Sequence, residues 1–270
     1  MPIDGERSGA RALAAGCAEI LYGDTLADIA GLLDPGVRAV IVQPVTLPHW
    51  HDELRTAVES GRFVVERRQW QARRPEALVH LLEQDLPHDG LGFETRLALI
   101  DDLALLGDAL ARLADCRGLL LRLFTERPTR HCGFHVDTVG PDLPPVGLLR
   151  VYNGAATNFV RNADVADGVS FMRYFKRREA LVRQHAASVE PATVDALCEL
   201  DAAPDFIVRG RAVEQVPAGA IVAFRHIDVT RVNNADAVLQ AWIHSSPMEG
   251  ARRLVANLSP LDGPRRSRQH

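Results

Sequence analysis

The chain has 270 residues, 47% hydrophobic and 24% charged, enough to bury one large core or two modest ones and too apolar for a disordered chain. A formal charge of −4 and a pI near 6.2 give no general attraction for nucleic acid or anionic lipid. No apolar run approaches the roughly 18 residues a membrane span needs, so the expected partner is a small or anionic molecule; oligomeric state is not legible.

Near the start, Leu13-Ala14-Ala15-Gly16-Cys17 has the outline of a lipoprotein cleavage site, but Asp4, Glu6 and Arg11 break the apolar stretch such a signal requires. The four cysteines, Cys17, Cys116, Cys132 and Cys198, form no CxxC pair and fit reduced thiols in a cytoplasm. Up to about Gly118 the pattern is helix-rich α/β. Thr25 caps a helix through Leu26, Ile29, Leu32 and Leu33, and Pro35-Gly36 ends it before an apolar strand at 39–42. A helix from 48 to about 60 leads past Gly61 into a strand at 63–65. A long helix at 94–114 carries Leu99, Leu103, Leu106, Leu110 and Leu113 as one apolar stripe.

Beyond Gly118 short strands alternate with turn residues, the texture of a sandwich or barrel. They are expected at 119–124, 133–138, 148–152, 205–208, 220–224, 238–243 and 253–258. An amphipathic helix at 171–187 interrupts them, apolar at Met172, Phe175, Leu181 and Val182 and basic at Arg173, Lys176, Arg177, Arg178 and Arg183. The expected class is α+β, in three segments: a helix-rich α/β part at 1–118, a strand-rich domain at 119–262 with a helical insertion near 168–201, and a flexible basic tail at 263–270.

The sharpest local feature is His131-Cys132-Gly133-Phe134-His135-Val136-Asp137. In a strand, residues two apart share a face, so His135 and Asp137 would present an imidazole and a carboxylate side by side. With a second histidine they would make a facial triad of two histidines and one carboxylate that leaves positions on the metal open. His-x-Asp alone is common, and a second copy stands at His226-Ile227-Asp228. The company of the first copy raises it: Trp242-Ile243-His244-Ser245-Ser246-Pro247 ends an apolar run in a histidine, and Arg253 begins the next strand with a guanidinium able to grip a carboxylate.

In this order and context the residues resemble the iron(II)- and 2-oxoglutarate-dependent oxygenases, over roughly 119–259. The resemblance implies a double-stranded β-helix, or jelly roll, of cupin-like form. It also implies iron(II) on His135, Asp137 and His244, 2-oxoglutarate held by Arg253, and Tyr152 reaching the cosubstrate. The Phe-His-Val-Asp and His-Ser-Ser-Pro pair resembles as well a bacterial family described only as a domain of unknown function. Two rivals stay open: a non-catalytic metal-binding or metal-homeostasis protein using the same triad, with zinc favoured if Cys132 joins it, and a metal-free cupin-like binding module. His49, His51 and His80 lack a sensibly spaced third ligand, and the His49 and His51 pair is expected at the surface. No GxGxxG, P-loop or Gly-x-Ser-x-Gly elbow is present.

Overall fold

A computed structural model describes residues 19–129, 133–187 and 190–263. Cys17, Cys132 and most of the expected tail lie outside them. In chain order the strands and helices are β1 (Ile20–Gly23), a 3-10 helix (Leu26–Leu33), β2 (Ala39–Val42), α1 (Trp50–Glu59), β3 (Arg68–Ala72), α2 (Pro75–Asp85), α3 (Phe93–Leu113), β4 (Leu119–Glu126), β5 (Thr138–Val139), β6 (Val146–Val151) and β7 (Asn158–Phe159). There follow α4 (Gly168–Ala187), α5 (Pro191–Ala202), β8 (Glu214–Gln215), β9 (Ile221–Arg225), β10 (Ile227–Asp228), α6 (Ala235–Val238), β11 (His244–Ser245) and β12 (Arg253–Pro260).

The result is a mixed α/β chain around one seven-stranded sheet, ordered β1-β2-β9-β6-β12-β4-β3 and antiparallel except for β1 beside β2. Strands from before and after Gly118 thus share one hydrogen-bonded ladder. On β4, Leu119, Leu121 and Leu123 are buried toward the helices, while Arg122, Phe124 and Glu126 take the opposite face, as strand alternation requires. The helical side is closed by α1, α2 and α3, whose stripe of Leu99, Leu103, Leu106 and Leu110 is fully buried; each such leucine is worth roughly 2 kcal/mol of apolar burial.

The other face of the sheet is covered by short strands. β11, β7 and β8 form an antiparallel trio, and β5 pairs with β10. Phe159, Trp242, Val216 and Ala156 from this layer pack on Leu149, Val151, Val222, Phe224 and Val255 of the sheet. Outside that layer, α4, α5 and α6 build a third cluster through Phe171, Met172, Tyr174, Leu200, Phe206 and Val238.

Several expected elements differ. Residues 63–65 join no strand, although Val65 hydrogen-bonds Thr125 of β4: the strand is β3, an edge whose buried residues are only Trp70 and Ala72, too polar to attract notice. The expected strand at 133–138 is reduced to a single bridge at His135 and the two residues of β5. At 205–208 a turn replaces a strand, with one bridge from Ile207 to Val165. At 238–243, Asn234 caps a helical turn by accepting from the backbone of Asp236 and Ala237, so the apolar run becomes the end of α6 and a turn before β11. The insertion is a pair of helices, α4 and α5, of which only the first has a clear amphipathic pattern in the sequence.

Candidate metal centre

His135 and His244 face each other across an antiparallel bridge, each donating its backbone N–H to the other's carbonyl at 2.9 and 3.0 Å. Side chains of such a pair leave the backbone on the same face, and the two imidazole centroids lie 4.4 Å apart. His135 Nδ1 is 3.1 Å from Gly133 O and His244 Nδ1 is 3.1 Å from Trp242 O. A carbonyl only accepts, so each Nδ1 carries a proton, and in the neutral ring that leaves the lone pair on Nε2, the tautomer a metal takes. The indole of Trp242 stacks on the His244 ring at 4.5 Å and fixes its plane.

Asp137 completes the group. Its Oδ2 accepts from Asn257 Nδ2 at 3.2 Å, and its Oδ1 lies 3.6 Å from His135 Nε2. One ligand atom from each of His135, Asp137 and His244 falls within 4.8 Å of the others. Metal–ligand bonds near 2.1 Å would draw adjacent ligand atoms to about 3 Å, a side-chain adjustment rather than a backbone one. Burial, reinforced by His135, holds the His244 imidazolium at a disadvantage, so its pKa lies below the ordinary value. Burial alone would raise the Asp137 carboxyl, but His244, His135, His226 and the Asn257 hydrogen bond outweigh it and hold it low. Neutral imidazole beside carboxylate is the protonation state that a divalent cation requires. The donor set therefore fits iron(II) or zinc.

The second His-x-Asp copy splits. His226 is buried, with Nε2 4.0 Å from Asp137 Oδ2, and burial pushes its pKa down to about 4. Gly147 leaves room for its ring, which a Cβ there would strike. Asp228 instead caps a 3-10 turn by accepting from the backbone and hydroxyl of Thr230.

Arg253 and Arg252 diverge as alternation dictates. Arg253 is 2% exposed and lines a cavity of about 430 Å³ together with the triad, Ser245, Ser246, Asn257 and Arg122. Its fork is engaged: Nε and Nη2 donate to Glu126 Oε1, and Nη1 donates to Ala155 O at 3.1 Å. Arg252 lies on the other face, its carbonyl accepting from Asn153.

Tyr152 does not reach this cavity. One residue past Val151, which faces the short strands, it points to the helical side and donates to Asp102 Oδ2 at 2.6 Å. There it belongs to a buried polar cluster with Arg150, which also pairs with Asp102, and with His51. His51, expected at the surface, is buried in that cluster beside Trp50, and burial beside Arg150 lowers its pKa to about 4. His80 is exposed against Gln84.

The expected basic helix does form, but no residue of α4 lines the cavity, and Arg173, Lys176 and Arg177 face solvent. It packs behind the ligand-bearing segment instead: Tyr174 Oη accepts from the backbone N–H of Phe134 at 2.8 Å and donates to Asp201 Oδ1 at 2.7 Å. Sequence reasoning missed Asn257, Glu126, Arg122 and Tyr174. The alternation that placed Arg253 inward would have placed Asn257 inward too, four residues along the same strand.

Residues 23–255 match the family described as "Protein of unknown function (DUF1826)". No curated protein matches the chain. Among solved structures, AviO1 from Streptomyces viridochromogenes Tue57 is similar at 14% identity and a TM-score of 0.38, covering 89% of this chain and 97% of that one. The dioxygenase for auxin oxidation (DAO) in rice is similar at 13% identity and 0.42, over 91% and 86%. AtDAO1, dioxygenase for auxin oxidation 1 from Arabidopsis thaliana, in binary complex with 2-oxoglutarate, is similar at 10% identity and 0.44, over 92% and 93%.

Proposed function

We propose that this chain, which belongs to the DUF1826 family, is an iron(II)- and 2-oxoglutarate-dependent dioxygenase on a jelly-roll frame, the seven-stranded sheet and the short-strand layer being its two walls. The observation that carries this is the convergence of His135, Asp137 and His244 within 4.8 Å at the wall of an open cavity. Three protein ligands on one side leave the other side of an ion to substrates. Iron held there would supply the dioxygen chemistry that couples decarboxylation of 2-oxoglutarate to oxidation of a second molecule.

The chain's own residues would do the rest. His135 and His244 would bind through Nε2 and Asp137 through Oδ1, with Gly133 O, Trp242 O and Asn257 fixing their orientation. Arg253 would take the distal carboxylate of 2-oxoglutarate by exchanging part of its contact with Glu126. The low-lying Leu149, Phe124 and Val255 would shield the reacting centre from bulk water.

Anaerobic purification followed by metal analysis and a succinate-release assay tests the proposal. About one iron per chain with succinate formed from 2-oxoglutarate is expected; zinc without turnover would favour the metal-binding rival, and no metal would end both. Arg253→Lys is expected to weaken 2-oxoglutarate binding by roughly tenfold and Arg252→Lys to leave it unchanged, because lysine cannot reproduce a two-point grip.

A further inference from the structure

Among the described residues, most buried or half-buried arginines are well matched, although Arg38 has one carbonyl partner and Arg252, on the helical side, lies outside the cavity. Arg150, Arg161, Arg178 and Arg253 each pair with a carboxylate, and Arg96 and Arg225 each bind three backbone carbonyls. Arg122 is different. It projects from β4 into the cavity, and among the described residues its one hydrogen bond is to Ser259 Oγ at 3.4 Å, with no ion pair. A guanidinium drawn partly out of water costs free energy unless an anion compensates it.

Its position is as telling as its lack of a carboxylate. In the sheet Arg122 stands directly across from Asn257 on one side and Gln69 on the other, so the three side chains share the cavity face. Asn257 is the residue that holds Asp137. The two acids of the cavity are already committed, Asp137 to the triad and Glu126 to Arg253 and, at 3.9 Å, Arg67. The anion that would match Arg122 must therefore come from a ligand.

We infer that Arg122, with Gln69 beside it, is an anchor for a carboxylate of the molecule this cavity takes, one strand away from the residue that orients Asp137 and separate from the Arg253–Glu126 pair. The inference goes beyond the oxygenase proposal and stands on the cavity alone. The carboxylate belongs either to the cosubstrate or to a second, acidic molecule.

Glutarate, a dicarboxylate without a keto group, and its neutral diamide serve as probes, titrated by calorimetry into the purified full-length chain. Wild type is expected to bind the acid and not the amide. Arg122→Gln should weaken glutarate binding by about tenfold or more, and Arg122→Lys by less, at unchanged melting temperature. Repeating the titration at saturating 2-oxoglutarate separates the sources: competition assigns the carboxylate to the cosubstrate, and simultaneous binding to a second acid. Wild type that ignores glutarate, or Arg122→Gln that binds it as wild type does, overturns the inference. A chain that releases no succinate yet loses glutarate through Arg122→Gln ends the oxygenase proposal and leaves this one standing.

Discussion

At the scale of single residues the candidate centre is defined by which nitrogen of each histidine is tied back. Nδ1 of His135 and of His244 is held by a carbonyl, so on the proposed metal centre replacing either histidine, or Asp137, by alanine leaves two of the three ligands. Each variant is expected to lose bound metal to below a tenth of wild type in elemental analysis, while Tyr152→Phe keeps it. Tyr152 hydrogen-bonds Asp102 on the far side of the sheet, so its loss costs about 1–3 kcal/mol of stability instead, read from denaturant melts. Acid has its own signature. His226 accepts a proton near pH 6.5 when unfolded but only near about 4 when folded. The unfolded chain binds the extra proton between those limits, so stability is complete above pH 6.5 and is lost as pH falls toward 4, by on the order of 3 kcal/mol from this group. Urea midpoints for the metal-free chain should drop across that window, and His226→Asn should lessen the drop, with His51 and His244 contributing the remainder.

At the scale of elements, two devices place those residues. β12 is a strand of strict alternation: Leu254, Ala256 and Leu258 pack on the helices, and Arg253, Val255, Asn257 and Ser259 line the cavity. The segment bearing His135 has no such ladder. It is held by the bridge to β11 and by the Tyr174 hydroxyl of α4, which Asp201 of α5 orients. Arg178 closes the same network on Asp201, and Gly133 leaves space for it. Tyr174→Phe strands the Phe134 N–H, so metal affinity is expected to fall roughly tenfold with a stability loss of about 1–3 kcal/mol. Metal titration with an indicator dye separates the two effects, since a purely structural role would lower the melting temperature without moving the affinity of the folded fraction. Gly168 has a different duty: a Cβ there would meet the backbone of Ala235, so Gly168→Ala should push α4 away from α6 and lower the melting temperature.

For the whole molecule, the sheet joins parts of the chain far apart in sequence. β1 and β2 cover the β9 edge, and β3 covers β4, while α1 to α3 supply the helical half of the core. A fragment holding only 119–262 would expose two sheet edges and the leucine row of β4, so it is expected to be insoluble or to lack a cooperative melt, whereas the full chain melts as one unit. Adding the fragment 1–118 in trans would restore solubility only if the two halves rebuild that ladder, which circular dichroism can follow.

What the sequence determined by itself was whatever repeats at short range. The leucine stripe of α3, the apolar run of β2 and the opposite facing of Arg252 and Arg253 follow from periodicities of 3.6 and 2, which neighbouring residues alone impose. His135, Asp137 and His244 stood out as candidates for a related reason, each beside apolar residues, and the structure brings their ligand atoms within 4.8 Å of one another. Tertiary structure decided the rest. Edge strand β3 is polar because one of its faces borders a cavity, and Tyr152 fell on the wrong side of the sheet by a single residue of register. Arg122 and Tyr174 owe their places to strands and helices distant in sequence, so no local pattern marks them, whereas alternation along β12 marks Asn257. Which two His-x-Asp copies would diverge was settled by packing: the first pairs its backbone with β11, and the second buries its histidine behind Gly147 and spends its aspartate on a turn.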